Sequence, residues 1–226
     1  MDYSHIDEFE QFLKKEIQPA AKDIEKLEDK NRKHIQKLVY TNLVDRFDTM
    51  VDSSVLSNCR EQSFSDDALK SATSPVTEAE LITLLMQGDE IQDALTIRLQ
   101  EGLRNSVLRE RHSQKFRRLV GVLAPNSGAD TPIPRVNIST GAIVEKFKIQ
   151  DKQVPHSIVG YADWLYSRRN SIVHGAGTNR YLENDRRQIK KIFKVELKAT
   201  FRITVGSITN AAKFYKEIID ILKSEE

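Results

Sequence analysis

The sequence predicts an all-α helical bundle with loop insertions and one short strand element late in the chain. Three observations point there. Apolar residues recur at three and four over most of the 226 residues, the spacing of one helix face. Only nine glycines and six prolines are present, too few for a turn-dense all-β chain. Hydrophobic residues make up 39% and charged residues 30%, a balance suited to helices with one solvated face. The length suits a single domain with a real core, here spanning 1–226.

Residues 4–28 carry Ile6, Phe9, Phe12, Leu13, Ile17, Ile24 and Leu27 at helical spacing, and Pro19 marks a kink. Residues 31–57 hold the strongest pattern, with Ile35, Leu38, Val39, Leu43, Phe47, Val51 and Leu56 as its stripe. Asp45 and Asp48 on this helix read as part of a solvated face, with an acidic partner to a site as the alternative. Residues 58–76 are polar and read as a loop. Thr77 caps a short helix to Gln87, with Glu78 and Glu80 in its first turn. A long helix is expected from Asp89 to Arg111 and another from Ser113 to Leu123. Residues 124–137 hold three of the prolines and are a loop. A short helix is expected over Ser139–Phe147, then a break at Asp151–Pro155. Residues 156–174 form a helix that stops at Gly175-Ala176-Gly177. Asp185–Ile192 reads as helical. Phe193–Val205 alternates apolar and polar residues and is rich in β-branched ones, which is a strand period. Ser207 then caps a last helix.

Several function classes are set aside early. Cys59 is the sole cysteine, so neither an intramolecular disulfide nor a CxxC metal site is expected, and no metal or cofactor. No apolar run nears the ~18 residues of a membrane span, and the first residues lack a signal-peptide core. A cytoplasmic protein is the expectation. His5, His34, His112 and His156 are expected at the surface or at helix ends.

The net charge is only +2, but it is unevenly spread. Residues 168–202 hold ten basic residues against three acidic ones. Such a run is either a solvated face or a field that gathers a polyanion such as RNA. Arg168, Arg180, Arg186, Arg187 and Lys190 are its candidate RNA-binding residues. The run begins inside RRNSIVHGAG, residues 168–177. On a helical wheel Ile158, Tyr161, Ala162, Leu165 and Ile172 form the core face. Asp163, Ser167, Asn170 and His174 form the opposite stripe. Arg169 lies between them, nearer the core, where a cation must find an anion or an interface. Arginine forks onto phosphate oxygens, and histidine exchanges protons near neutral pH. Together they suit metal-independent RNA cleavage, in which the ribose 2′-OH attacks the adjacent phosphate. Residues 169 and 174 point about 140° apart on an ideal helix, so one helix does not stack the pair. From spacing alone, a helix end with an ion-paired arginine is the competing reading.

RRNSIVHG at a helix end resembles the signature of the HEPN superfamily (higher eukaryotes and prokaryotes nucleotide-binding), through Arg169, Asn170, His174 and Gly175. HIQKLVYTNLVDRFDTMVDSSV resembles the long helix that precedes the motif in the RiboL-PSP-HEPN branch. FKVELKATFRITVGSITNAAKFYKEIIDIL is similar to that branch's closing segment. Residues 60–135 resemble nothing comparable and read as a family-specific insertion or part of the core. The resemblance implies a HEPN-like bundle that forms a homodimer, with two Arg-His motifs in a shared cleft. It implies a metal-independent endoribonuclease of toxin–antitoxin, abortive-infection or other anti-phage systems, acting on RNA such as tRNA and restrained by an antitoxin or another defence partner. By resemblance, Arg169 stabilises the phosphate, His174 is the general base or acid, and Asn170 orients phosphate or ribose. Some members carry a Tyr two residues after the His, where a partner modifies it; here that residue is Ala176. A non-catalytic RNA- or protein-binding module of the same fold, or a regulatory subunit of a defence complex, stays open beside the enzyme.

Overall fold

The computed structural model describes residues 1–71, 77–86, 91–137, 140–145, 157–174 and 202–224. Helices build almost all of the described chain, and no strand occurs among the described residues beyond one isolated antiparallel bridge, Val136 to Ile143. The all-α expectation therefore holds. Most of the expected strand segment, 193–201, and the expected helix at 185–192 lie outside the described residues. Arg202–Thr204 is irregular, and Val205 already belongs to a helix.

The first helical pattern becomes three joined pieces: α1 (Ser4–Phe12), a π-helical turn (Leu13–Ile17) and α2 (Gln18–Ile24). Pro19 lacks an N–H and crowds the carbonyl four residues back, and the wider π turn before it takes up that misfit. α3 (Asp29–Ser57) runs through the centre and packs on α1, α2 and the later helices. Its buried stripe is Tyr40, Leu43, Val44, Phe47, Met50, Val51 and Val55, turned from the expected one so that Leu38 is 53% exposed. Phe47 is the hub. Its ring meets Phe9 at 5.6 Å, Phe116 at 5.4 Å and Tyr215 at 4.1 Å. Aromatic pairs at such distances add to the burial of the rings themselves.

Residues 58–76 are not all loop. α4 (Gln62–Lys70) forms there, since Phe64 and Ala68, one turn apart, are enough to seat it. α5 (Glu78–Met86) follows. The long helix expected to reach Arg111 instead stops: α6 (Ile91–Asn105) gives way to a 3₁₀ turn (Val107–Arg109), and α7 (His112–Leu123) begins anew. The short helix expected over 139–147 is absent from the described residues 140–145. They form a tight reversal in which the Gly141 N–H donates to Asn137 O at 2.7 Å and the Val144 N–H to Arg135 O at 2.7 Å. Gly141 is required there. Its φ is +71°, and a Cβ would lie 2.0 Å from the Asn210 carbonyl oxygen.

α8 (Ile158–Val173) packs on α3 and α7. α9 (Val205–Leu222) closes the bundle against α1, α2 and α3. Its cap is Thr204, whose Oγ1 accepts from the Ser207 N–H at 3.2 Å, while Ser207 Oγ accepts from the Thr204 N–H at 3.2 Å. Ser207, the expected cap, is thus the reciprocal member of a capping box, three residues inside the observed cap Thr204. No helix among the described residues is long and apolar enough to cross a membrane.

Two helical glycines should respond oppositely to the same change. A Cβ on Gly102 would sit 2.6 Å from the Ala68 carbonyl oxygen, where α6 crosses α4. Gly121, on α7, has nothing within 4 Å of that position. Gly121→Ala should stabilise by about 0.5–1 kcal/mol through helix propensity. Gly102→Ala should destabilise by about 1–3 kcal/mol as the helices are forced apart. Urea unfolding of the two variants beside the parent checks both signs.

Candidate functional site

α8 carries Arg169 and Asn170, and its start and middle are well fixed. Ser157 Oγ caps it by accepting from the Gly160 N–H at 3.0 Å. Ile158, Tyr161, Ala162 and Leu165 are buried and Ile172 packs on the same core, as the wheel predicts, and Val159 is buried beside them. The Tyr40 hydroxyl on α3 donates to Leu165 O at 3.1 Å, tying α8 to the central helix from inside. Burial pushes the Tyr40 hydroxyl well above the usual tyrosine range, and that of Tyr161 up to about 12.

Arg169 does find an anion. Its Nε sits against the Asp45 carboxylate of α3 as an ion pair, off the line of a good hydrogen bond. Its Nη1 donates to Asn170 Oδ1 at 2.9 Å. The guanidinium also lies 5.9 Å from the Tyr166 ring centre. Among the described residues Nη2 has no hydrogen-bond partner. The structure thus joins Arg169 and Asn170 and adds Asp45 to them. Asp45 serves as a partner to the site rather than as part of a wholly solvated face.

His174 is the C-cap of α8 and is exposed. Its N–H donates to Asn170 O at 2.9 Å. Its ring has no hydrogen-bond partner among the described residues, so it meets the other two only through the main chain. Gly175 and Ala176 lie outside the described residues, as do Arg180, Arg186, Arg187 and Lys190. Arg168 faces inward to its own chain. Its guanidinium lies 4.6 Å from the Trp164 ring and 5.5 Å from the Tyr40 ring, and Nη2 donates to Arg202 O at 3.2 Å.

Behind Arg169 lies a polar seam that spacing rules do not reach. His112 opens α7, as expected for a helix-terminal histidine, yet its side chain is only 1% exposed. Its ring stacks on Tyr166 at 4.5 Å with planes 1° apart, so Tyr166 lies between His112 and Arg169. His112 Nδ1 pairs with Asp48 Oδ1 at 2.6 Å. Lys115 Nζ reaches Asp52 at 2.5 Å and Asp48 at 3.2 Å. Asp45, Asp48 and Asp52 stand at i, i+3 and i+7, one stripe of α3. That stripe of carboxylates on a mostly apolar helix is the signal the sequence does hold for the seam. Burial raises the Asp48 carboxyl, but His112 and Lys115 outweigh it and hold the group below the usual aspartate range. Burial, with the Asp48 charge, pushes Asp52 up despite Lys115. Burial pulls the Lys115 ammonium down, and Asp52 and Asp48 more than reverse it.

Cys59 is buried, and burial pushes its thiol up, which does not suit a nucleophile. Among the described residues no three His, Cys, Asp or Glu side chains are grouped to hold a metal ion. Comparison of the chain with protein-family models, curated proteins and solved structures finds no match.

The Asp48 seam has a pH signature. A carboxylate whose folded pKa lies below its unfolded value of 3.8 stabilises fully above that value and loses the contribution as pH falls through the folded one. Asp48→Asn should be about 1–3 kcal/mol less stable than the parent at pH 7. The gap should narrow steadily below about pH 4. Urea titrations across the acid range would show it, and a gap constant with pH would refute it.

Proposed function

We propose that the chain is a metal-independent endoribonuclease of HEPN type, working as a homodimer whose α8 ends share one cleft. Growth arrest or anti-phage defence is the setting this reading carries with it. One observation carries the reading. Arg169 is fixed through Nε by Asp45 and through Nη1 by Asn170, which leaves Nη2 as an oriented donor five residues before an exposed histidine. A cation held in place before the reaction begins suits charge that develops on a phosphorane.

In the proposed reaction a His174 ring takes the 2′-OH proton as the ribose oxygen attacks phosphorus. Arg169 Nη2 donates to a non-bridging oxygen as the 5′-oxygen leaves. A protonated histidine returns a proton to that oxygen, so the products are a 2′,3′-cyclic phosphate and a 5′-OH. Base and acid act together, and a second copy supplies the second histidine. The wide angle between residues 169 and 174 on one helix favours such sharing.

A second reading rests on the same ion pair. Asp45 already neutralises Arg169, as expected of a module that binds RNA or a partner protein without turnover. Incubation with total RNA and a tRNA pool in EDTA separates the two. The enzyme should leave 2′,3′-cyclic ends, and His174→Ala and Arg169→Ala should each lower the rate by at least about 10²-fold. Cleavage that survives His174→Ala would refute the mechanism.

A further inference from the structure

From Arg98 to Arg118 the chain holds seven arginines and lysines against two glutamates. This stretch lies in the segment 60–135, to which the family resemblance assigns no role. It spans the end of α6, the 3₁₀ turn and most of α7.

The acids Glu110, Asp67, Asp48 and Asp52 are already taken. Arg118 draws Glu110 with both ends of its fork, Nε to Oε2 at 2.9 Å and Nη2 to Oε1 at 2.7 Å, and its Nη1 takes Asp67. Lys115 is spent on Asp52 and Asp48. Of the other five, Arg104, Arg109, Arg111 and Arg117 are exposed, while Arg98 is half-buried. Among the described residues none of the four has a carboxylate partner. Arg109 Nη2 donates to Asn105 Oδ1 at 2.9 Å, which leaves its charge uncompensated. Buried Leu103, Val107 and Leu119 pin the bend from beneath, so the four cations ride on a fixed frame.

The bend adjoins the candidate site. Arg111 immediately precedes His112, whose ring stacks on Tyr166 at 4.5 Å, and Tyr166 lies under the Arg169 guanidinium. These separate, exposed arginines, close in sequence across the bend, line none of the described cavities. They therefore match a repeating polyanion better than a single small anion, since each planar fork takes one phosphate.

We infer that the α6–α7 bend, through Arg104, Arg109, Arg111 and Arg117, is a docking surface for a single-stranded RNA backbone that leads the strand to the end of α8. The inference rests on the ribonuclease reading for where the strand leads, and on the uncompensated charge for the binding itself. These arginines contact phosphate and fix position without reading bases.

The test is binding of labelled single-stranded RNA, followed by anisotropy over a salt series. The parent, His174→Ala, a variant with all four arginines changed to Gln, and one with all four changed to Lys are compared. The changed side chains are exposed, so thermal melts of all four proteins should agree. The Gln variant should bind about 10–100-fold more weakly at low salt, and its log–log salt slope should fall by about 2–3, near 0.7 per lost phosphate contact. The Lys variant should keep most of the slope, because charge and not fork shape sets it. His174→Ala, which should not cut, keeps the RNA intact while its salt slope is read. RNA binding by the Gln variant within twofold of the parent, at equal slope, overturns the surface, and so does failure of the parent to bind RNA at low salt. A parent that prefers phosphatidylserine vesicles to RNA overturns it too. A parent that binds through the bend without cutting upholds the surface and refutes the enzyme. A parent and Gln variant that cut equally at low RNA uphold the enzyme and refute the surface.

Discussion

The ion pair between Arg169 and Asp45 is the contact on which the local architecture turns. A guanidinium so near the core face of a packed helix is costly unless an anion meets it there. Asp45 does, and the consequences spread. Tyr166 packs beneath the guanidinium, His112 packs beneath Tyr166, and Asp48 fixes His112. Lys115 then shares Asp48 with His112 and carries the seam on to Asp52. Three helices meet here through charge and ring stacking, beside the apolar hub at Phe47.

The seam also separates two tasks within one helix. The core side of α8 is anchored by Leu165, Tyr161 and the Tyr40 hydroxyl. Its far end presents an exposed histidine. A rigid body with a polar tip is what the proposed proton transfer would need, since a small misplacement of a reacting group is expensive in rate.

Much of this was legible in the sequence. The helix at 156–174, its core face and the awkward place of Arg169 follow from a 100° wheel and from what a buried cation requires. Other features were hidden for identifiable reasons. α4 is polar in composition, and only Phe64 and Ala68 betray it. Leu38 fits the repeat of α3 yet faces outward, because the stripe set by Tyr40, Val44 and Phe47 won the core. The break after Asn105 carries no proline or glycine of its own. His112 lies 64 residues from Asp48, and no local spacing rule connects the two.

The three carboxylates of α3 work as a toothed rack. Their spacing at i, i+3 and i+7 is met by one cation from α8 and a His–Lys pair from α7. Slippage of either helix by one turn, about 5.4 Å, would strand charges on both sides of the seam at once. Greasy helix faces tolerate such slips far better than toothed ones. The motif helix is therefore indexed against α3 in a single gear, and the direction in which its tip points is settled when the bundle closes.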